Sequence, residues 1–164
     1  MTKIFFIGDT HFGKSYPYRK NYTLNISERS LDVIDNCEKI IQAAIQENAD
    51  YVIFLGDLYH RKIISPTIRK IVREKIFIPL NEHKIKTVII GGNHDSVRNP
   101  KRGVDIQELS NFSNVDVFTN IHSKIIALEN LKLGLIFLPF IRFDVLVNVA
   151  KEKGLFTDDE SEGN

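Results

Sequence analysis

The chain has 164 residues, 43% of them hydrophobic and 26% charged, with a formal net charge of +1. That fits one ordinary domain with enough apolar material for a packed core, and it excludes global disorder. The single cysteine, Cys37, excludes a disulfide framework and a cysteine-rich zinc site. No apolar run approaches the roughly 20 residues that cross a bilayer. The opening MTKIFFIGDT lacks a signal peptide's long apolar stretch. A soluble, reducing, cytoplasmic setting is expected. The charge is uneven: residues 61–103 hold 11 basic and 3 acidic side chains, whereas residues 144–164 hold 2 and 6. A basic middle of that density suits a polyanion, and a solvated helix face explains it as simply.

In chain order, residues 3–8 predict a buried strand that ends in Gly-Asp. Residues 14–26 are polar and aromatic without periodicity and predict a loop. Ser27 is the expected N-cap of a helix running to about Asn48, with Leu31, Ile34, Ile41 and Ile45 on its apolar face. Residues 51–55 predict a second strand, again ending in Gly-Asp. Ser65-Pro66 opens a helix that Pro79 should kink or end. Residues 87–90 predict a third strand, running into Gly91-Gly92-Asn93-His94-Asp95. A short helix near 104–112, a strand at 115–118, a hairpin of 121–128 with 131–138 and a helix at 145–153 follow. Residues 156–164 read as an acidic, disordered tail. The order β-α-β-α-β with apolar strands implies a parallel sheet covered by helices on at least one face.

Each of the first three strands ends in a polar cluster: Gly8-Asp9-Thr10-His11, Gly56-Asp57-Leu58-Tyr59-His60 and Gly92-Asn93-His94-Asp95. Carboxyl ends of parallel strands share one edge, so the clusters should converge there. Asp9, His11, Asp57 and Asn93 combine oxygen and imidazole donors, which suit Mn²⁺, Fe or Zn²⁺ better than Ca²⁺. Asp57, in the central cluster, is the natural bridge between two ions. Such a pair, about 3.5–4 Å apart, clamps a phosphate and activates water. A dinucleotide-binding reading fails, because no Gly-x-Gly-x-x-Gly follows the first strand. His83 and His122 are expected to be structural or solvated.

These motifs resemble the calcineurin-like metallophosphoesterases. Within them, Asp9-Thr10-His11-Phe12-Gly13 and the placement of His60 three residues after Asp57 look like the nuclease subunit of the double-strand-break repair and recombination nucleases (the SbcD type, with archaeal, eukaryotic and phage relatives). The stretch from Arg61 to Ile71, followed by Gly92-Asn93-His94-Asp95, is similar to the phage recombination nucleases. The resemblance spans about residues 1–145 and implies an α/β fold, the parallel-sheet half of the α-β-β-α sandwich, truncated at the C-terminus. The expected domain is residues 1–155. The resemblance implies that Asp9, His11 and Asp57 hold a first metal ion and Asp57 and Asn93 a second, most often Mn²⁺. It places His94, and with it His60, against the scissile phosphate as the catalytic histidines. Asp95 is expected to hold His94 or cap its turn. Arg61 and Lys62, just after His60, are candidate DNA-backbone contacts, and Lys14, Arg19 and Lys20 among Tyr16, Tyr18 and Tyr22 could add charge and stacking.

The family's later Gly-His and Gly-His-x-His motifs are not found, and no histidine follows His122. A truncated chain, one half of a split gene completed by a second polypeptide that supplies those histidines, and a degenerate paralogue that binds without cutting are the three competing explanations. The resemblance also implies a homodimer through segments 27–48 and 66–80, with Ile63, Ile64 and Ile68 as candidates for an apolar seam, though core packing explains them equally well. An SMC-like ATPase is a further possible partner, and host cytoplasm is the expected location if the chain is phage-encoded. The functional expectation is metal-dependent exo- or endonucleolytic hydrolysis of DNA. The alternatives are a phosphatase or small-molecule phosphodiesterase on the same core, and a catalytically silent binding or dimerisation module.

Overall fold

The computed structural model describes residues 2–17, 19–95, 105–119, 125–128 and 133–155. In chain order the elements are β1 (Ile4–Ile7), β2 (Lys20–Asn21), β3 (Ile26–Ser27), α1 (Glu28–Gln46), β4 (Tyr51–Phe54), α2 (Pro66–Val72), a π-helical turn (Arg73–Phe77), α3 (Ile78–Glu82), β5 (Lys86–Ile90), a 3₁₀ helix (Asp105–Asn111), β6 (Val115–Phe118), β7 (Ile125–Leu128), β8 (Leu133–Ile136) and α4 (Phe143–Glu152). The sheet order is β1-β4-β5-β6, and every pairing in it is parallel. This is the α/β architecture expected from the apolar strands.

Side chains alternate across a strand, and the sheet sorts them cleanly. Ile7, Val52, Phe54, Ile89 and Val115 point into a core shared with the helices. Helix α1 contributes Ile34, Cys37, Ile41 and Ala44, one buried stripe at helical spacing. The α2–α3 segment contributes Ile68, Val72, Ile76, Phe77 and Leu80. The opposite face carries Tyr51, Ile53 and Val88, covered by Phe137. Phe6 and Leu55 on that side are 57% and 53% exposed. The helices thus cover one face.

Four expectations are corrected or narrowed. Residues 14–26 are not all loop: β2 and β3 pair antiparallel, Lys20 with Ser27 and Asn21 with Ile26, and buried Ile26 anchors the hairpin to the core. Ser27 occupies the N-cap position of α1, but its side chain makes no cap bond. The hairpin supplies a backbone acceptor at this end, where the Glu28 N–H donates to the Arg19 carbonyl at 3.0 Å. Ser65 does cap α2, accepting from the Ile68 N–H at 3.3 Å. Of the two outcomes expected at Pro79, the regular helix is interrupted just before it, by the π turn, and is not ended. Proline collides with the carbonyl four residues back in a regular α-helix, but the π turn before it holds one extra residue and the spiral continues to Glu82. Ile64 and Ile68 belong to the core, at 6% and 4% exposed, whereas Ile63 is 79% exposed. Only Ile63 is thus left of the expected apolar seam. The acidic residues 156–164, Tyr18 and His122 lie outside the described residues. No helix among the described residues is long and apolar enough to cross a membrane.

Candidate metal centre

The strand ends must turn sharply to meet. Asp9, His11 and Asp57 adopt left-handed backbone conformations, with φ of 52°, 44° and 49°. Few non-glycine residues do so, and such strain gathers at functional sites. The first two turns are stitched together by backbone bonds: His11 N–H to the Asp57 carbonyl at 2.9 Å, Phe12 N–H to Leu58 at 2.8 Å and His60 N–H back to Phe12 at 3.0 Å. The Thr10 hydroxyl adds a bond to the Leu58 carbonyl at 3.0 Å.

Buried Asp95 ties the third turn to the second. Its carboxylate accepts from the N–H groups of Leu58 at 3.1 Å, Tyr59 at 3.3 Å and Gly92 at 3.2 Å. Burial pushes the Asp95 carboxyl above its ordinary value. The three N–H bonds oppose the rise, and the nearby Asp57 charge adds to it. Asp95 therefore caps turns, as expected. The closeness it enforces explains Gly92, where any Cβ would collide with the Asp57 carboxylate and amide.

On this frame Asp9, His11 and Asp57 come together. His11 Nε2 lies 4.0 Å from Asp9 Oδ1 and 3.8 Å from Asp57 Oδ2. Ligand atoms about 2.0–2.2 Å from one cation are at most roughly 4.4 Å apart, so both separations suit a shared ion. One ligand atom from each of the three residues lies within 4.8 Å of the others. The donor set fits a divalent cation of borderline hardness. Asp57 Oδ1 accepts the His94 N–H at 2.9 Å, which leaves Oδ2 facing His11.

Three imidazoles gather beside the carboxylates. The His11 ring centre is 5.4 Å from that of His60 and 4.9 Å from that of His94, and His60 and His94 stack at 5.0 Å. His94 Nδ1 lies 2.8 Å from the His60 carbonyl. A carbonyl only accepts, so Nδ1 carries the proton and Nε2 is left as the working nitrogen. Burial lowers the His60 pKa below its ordinary value, helped by the charges of His94, His11, Lys14 and Arg61. The Nδ1 atoms of His11 and His60 are buried and meet no hydrogen-bond partner among the described residues. Buried polar atoms of that kind gain from an ion or ligand.

Asn93 is exposed on the same edge. It lines an open cleft of about 510 Å³ with Lys62, Phe140, Arg142, Phe143 and Asp144. Arg61 is exposed beside it in sequence. The 140–144 wall was invisible to motif reading, because it reaches the site through a backbone bond from the Phe140 N–H to the Gly91 carbonyl at 2.9 Å. Arg142 is occupied there by Asp144, through bonds of 2.9 and 3.0 Å. His83 stands apart, exposed, with its Nδ1 2.9 Å from the Pro79 carbonyl.

The chain is 36% identical over 103 residues to the "DNA double-strand break repair protein Mre11" of Saccharolobus solfataricus, covering 62% of this chain and 24% of that protein. It is 33% identical over 130 residues to the protein of the same name from Sulfolobus acidocaldarius, covering 77% and 31%. The chain thus spans about a quarter to a third of the length of these curated relatives. Among solved structures, the Pseudomonas putida nuclease MPE matches with a TM-score of 0.43 and 20% identity, covering 73% of this chain and 48% of that one. The family model for the calcineurin-like phosphoesterases matches residues 2–160, nearly the whole sequence, and the chain belongs to that family.

Proposed function

We propose that this chain carries the metal-binding and phosphate-facing part of a nuclease that hydrolyses phosphodiester bonds in DNA during break repair or recombination. The observation that carries the reading is the convergence of Asp9, His11 and Asp57 on one strand edge with His60 and His94 alongside. The family works with divalent metals; the donor set suits Mn²⁺, Fe or Zn²⁺, and the resemblance to the repair nucleases favours Mn²⁺ among them. Asp9, His11 and Asp57 would hold one ion, and Asp57 with Asn93 a second. When bound, the ions would polarise a phosphoryl oxygen and make water a better nucleophile.

The chain's own residues do the rest. Asp57 is aimed by the His94 amide. The His94 ring, pinned through Nδ1 to the His60 carbonyl, can, with a second proton on Nε2, steady charge on the phosphate and deliver that proton to the leaving oxygen. His60 stacks beside it and positions the same phosphate. Lys62, lining the cleft next to Asn93, and exposed Arg61 would hold the DNA backbone, which makes binding salt-dependent. DNA as substrate is supported by the naming of the curated relatives and by the basic residues of 61–103. A homodimer through α1 and α2–α3, an SMC-like ATPase and further histidines from additional polypeptide belong to the same proposal.

The test is Mn²⁺ titration by calorimetry, paired with cleavage assays on duplex DNA ends and on a chromogenic phosphodiester. Asp57→Ala should abolish Mn²⁺ binding and cleavage together. Cleavage that persists in a pure Asp57→Ala preparation refutes the bridging role. Turnover of the chromogenic ester without any of DNA refutes the nuclease reading.

A further inference from the structure

We propose that the cleft between residues 15–17 and the β2–β3 hairpin binds single-stranded DNA, stacking an unpaired base on Tyr22 and holding its phosphates with Arg19 and Lys20. The proposal rests on the nuclease reading above and names the strand form that this surface would take.

The cleft has a volume of about 550 Å³, and its lining includes Tyr16, Arg19, Lys20 and Tyr22. That size suits a nucleotide-scale ligand. Residues 14–29 hold four basic side chains (Lys14, Arg19, Lys20 and Arg29) against one acidic one, Glu28. The two tyrosines have different circumstances. Lys14 Nζ and Arg29 Cζ lie 5.7 and 5.9 Å from the Tyr16 ring centre, so that ring already holds cations and serves as a wall. Tyr22 is 91% exposed, and among the described residues no ring or cation lies against it. It is an aromatic platform with its faces open.

The platform is not a loose one. Buried Ile26 seats the hairpin in the core. Asn21 Oδ1 accepts the Leu24 N–H at 3.0 Å within the turn, and the Glu28 N–H closes onto Arg19 at 3.0 Å. The Ser30 hydroxyl donates to the Lys14 carbonyl and fixes the other side. The segment leaves directly from the metal centre, because the Lys14 N–H donates to the His11 carbonyl at 3.1 Å. Lys14 links the two places, bonded to His11 at one end and lying over the Tyr16 wall of the cleft at the other.

The chemistry favours an unpaired strand. In a duplex the base faces are already stacked and unavailable to Tyr22. A single strand offers both a free π-face and a flexible line of phosphates, the combination that aromatic and basic grooves take.

The experiment uses the whole chain in EDTA, so that binding is read without cleavage. The probe is a single-stranded oligodeoxythymidine carrying one 2-aminopurine, alongside a duplex of the same length. Binding should quench the 2-aminopurine emission. Tyr22→Ala should remove the quenching and weaken single-strand binding about tenfold or more, whereas Tyr22→Phe should keep both. Joint Arg19→Ala and Lys20→Ala should lower the salt slope by about 1.4, two phosphate contacts at roughly 0.7 each. Equal binding and quenching by Tyr22→Ala overturns the cleft assignment. If Arg61→Ala and Lys62→Ala still weaken DNA binding in that case, the nuclease reading stands without the cleft. If neither DNA form binds the unaltered chain, both fail.

Discussion

At the residue scale, Gly92 sets how closely the second and third turns approach. Its missing side chain is what allows the Asp57 carboxylate to sit against the backbone of the third turn. Gly92→Ala must push Asp57 aside. We expect a loss of about 1–3 kcal/mol of stability from overpacking, read by urea unfolding. The displaced carboxylate should weaken Mn²⁺ binding about 10–100-fold, read by calorimetry. Unchanged affinity in a folded Gly92→Ala protein would mean that Asp57 does not need this position. The sequence marks Gly92 only as a turn glycine. Asp9, His11, Asp57 and His94 are legible because each follows the end of an apolar strand, so their meeting follows from topology. The Asp95 clamp is legible only as a turn cap. Its three amide partners come from two separate turns, and no local pattern encodes them.

At the element scale, α1 shows what a buried stripe does to a titratable group. Cys37 lies between Ile34 and Ile41 on the packed face, and burial pushes its thiol up to about 12 from 9.0. The unfolded thiol ionises near 9.0 while the folded one stays neutral. The Cys37 contribution is therefore complete below that pH and is lost as pH climbs toward about 12. The slope is at most about 1.4 kcal/mol per pH unit. Denaturant unfolding between pH 8 and 11 should show a steeper alkaline decline in the parent than in Cys37→Ala. Parallel curves would show that Cys37 is not protected. The 3.6-residue spacing made this helix readable almost to its ends. Strands of two residues are too short to show alternation, which is why the β2–β3 hairpin was not. The π turn before Pro79 was also hidden, since the apolar spacing reads as helix on both sides of it.

For the whole molecule, the two faces of the sheet are unequal. Phe54 is 1% exposed under the helices, while its chain neighbour Leu55 is 53% exposed on the other side. Phe54→Ala should cost about 3–5 kcal/mol, because it empties a packed site that cannot collapse. Leu55→Ala should fall within about 0.5 kcal/mol. Guanidinium unfolding of the two variants compares the faces directly, and similar losses would mean that the second face is covered in solution. The strand order and the parallel sense were legible from the alternation of strands and helices. The strands alone do not tell how each face is covered, since apolar strands look alike whether one side is packed or both.

The rungs that join Phe12, Leu58 and His60 have a consequence for descent and for engineering. Neither of the first two turns keeps its shape by its own residues alone. Each borrows amides and carbonyls from the other, so transplanting one loop without its neighbour would carry over the letters of the motif and leave its geometry behind. The two are heritable as one part.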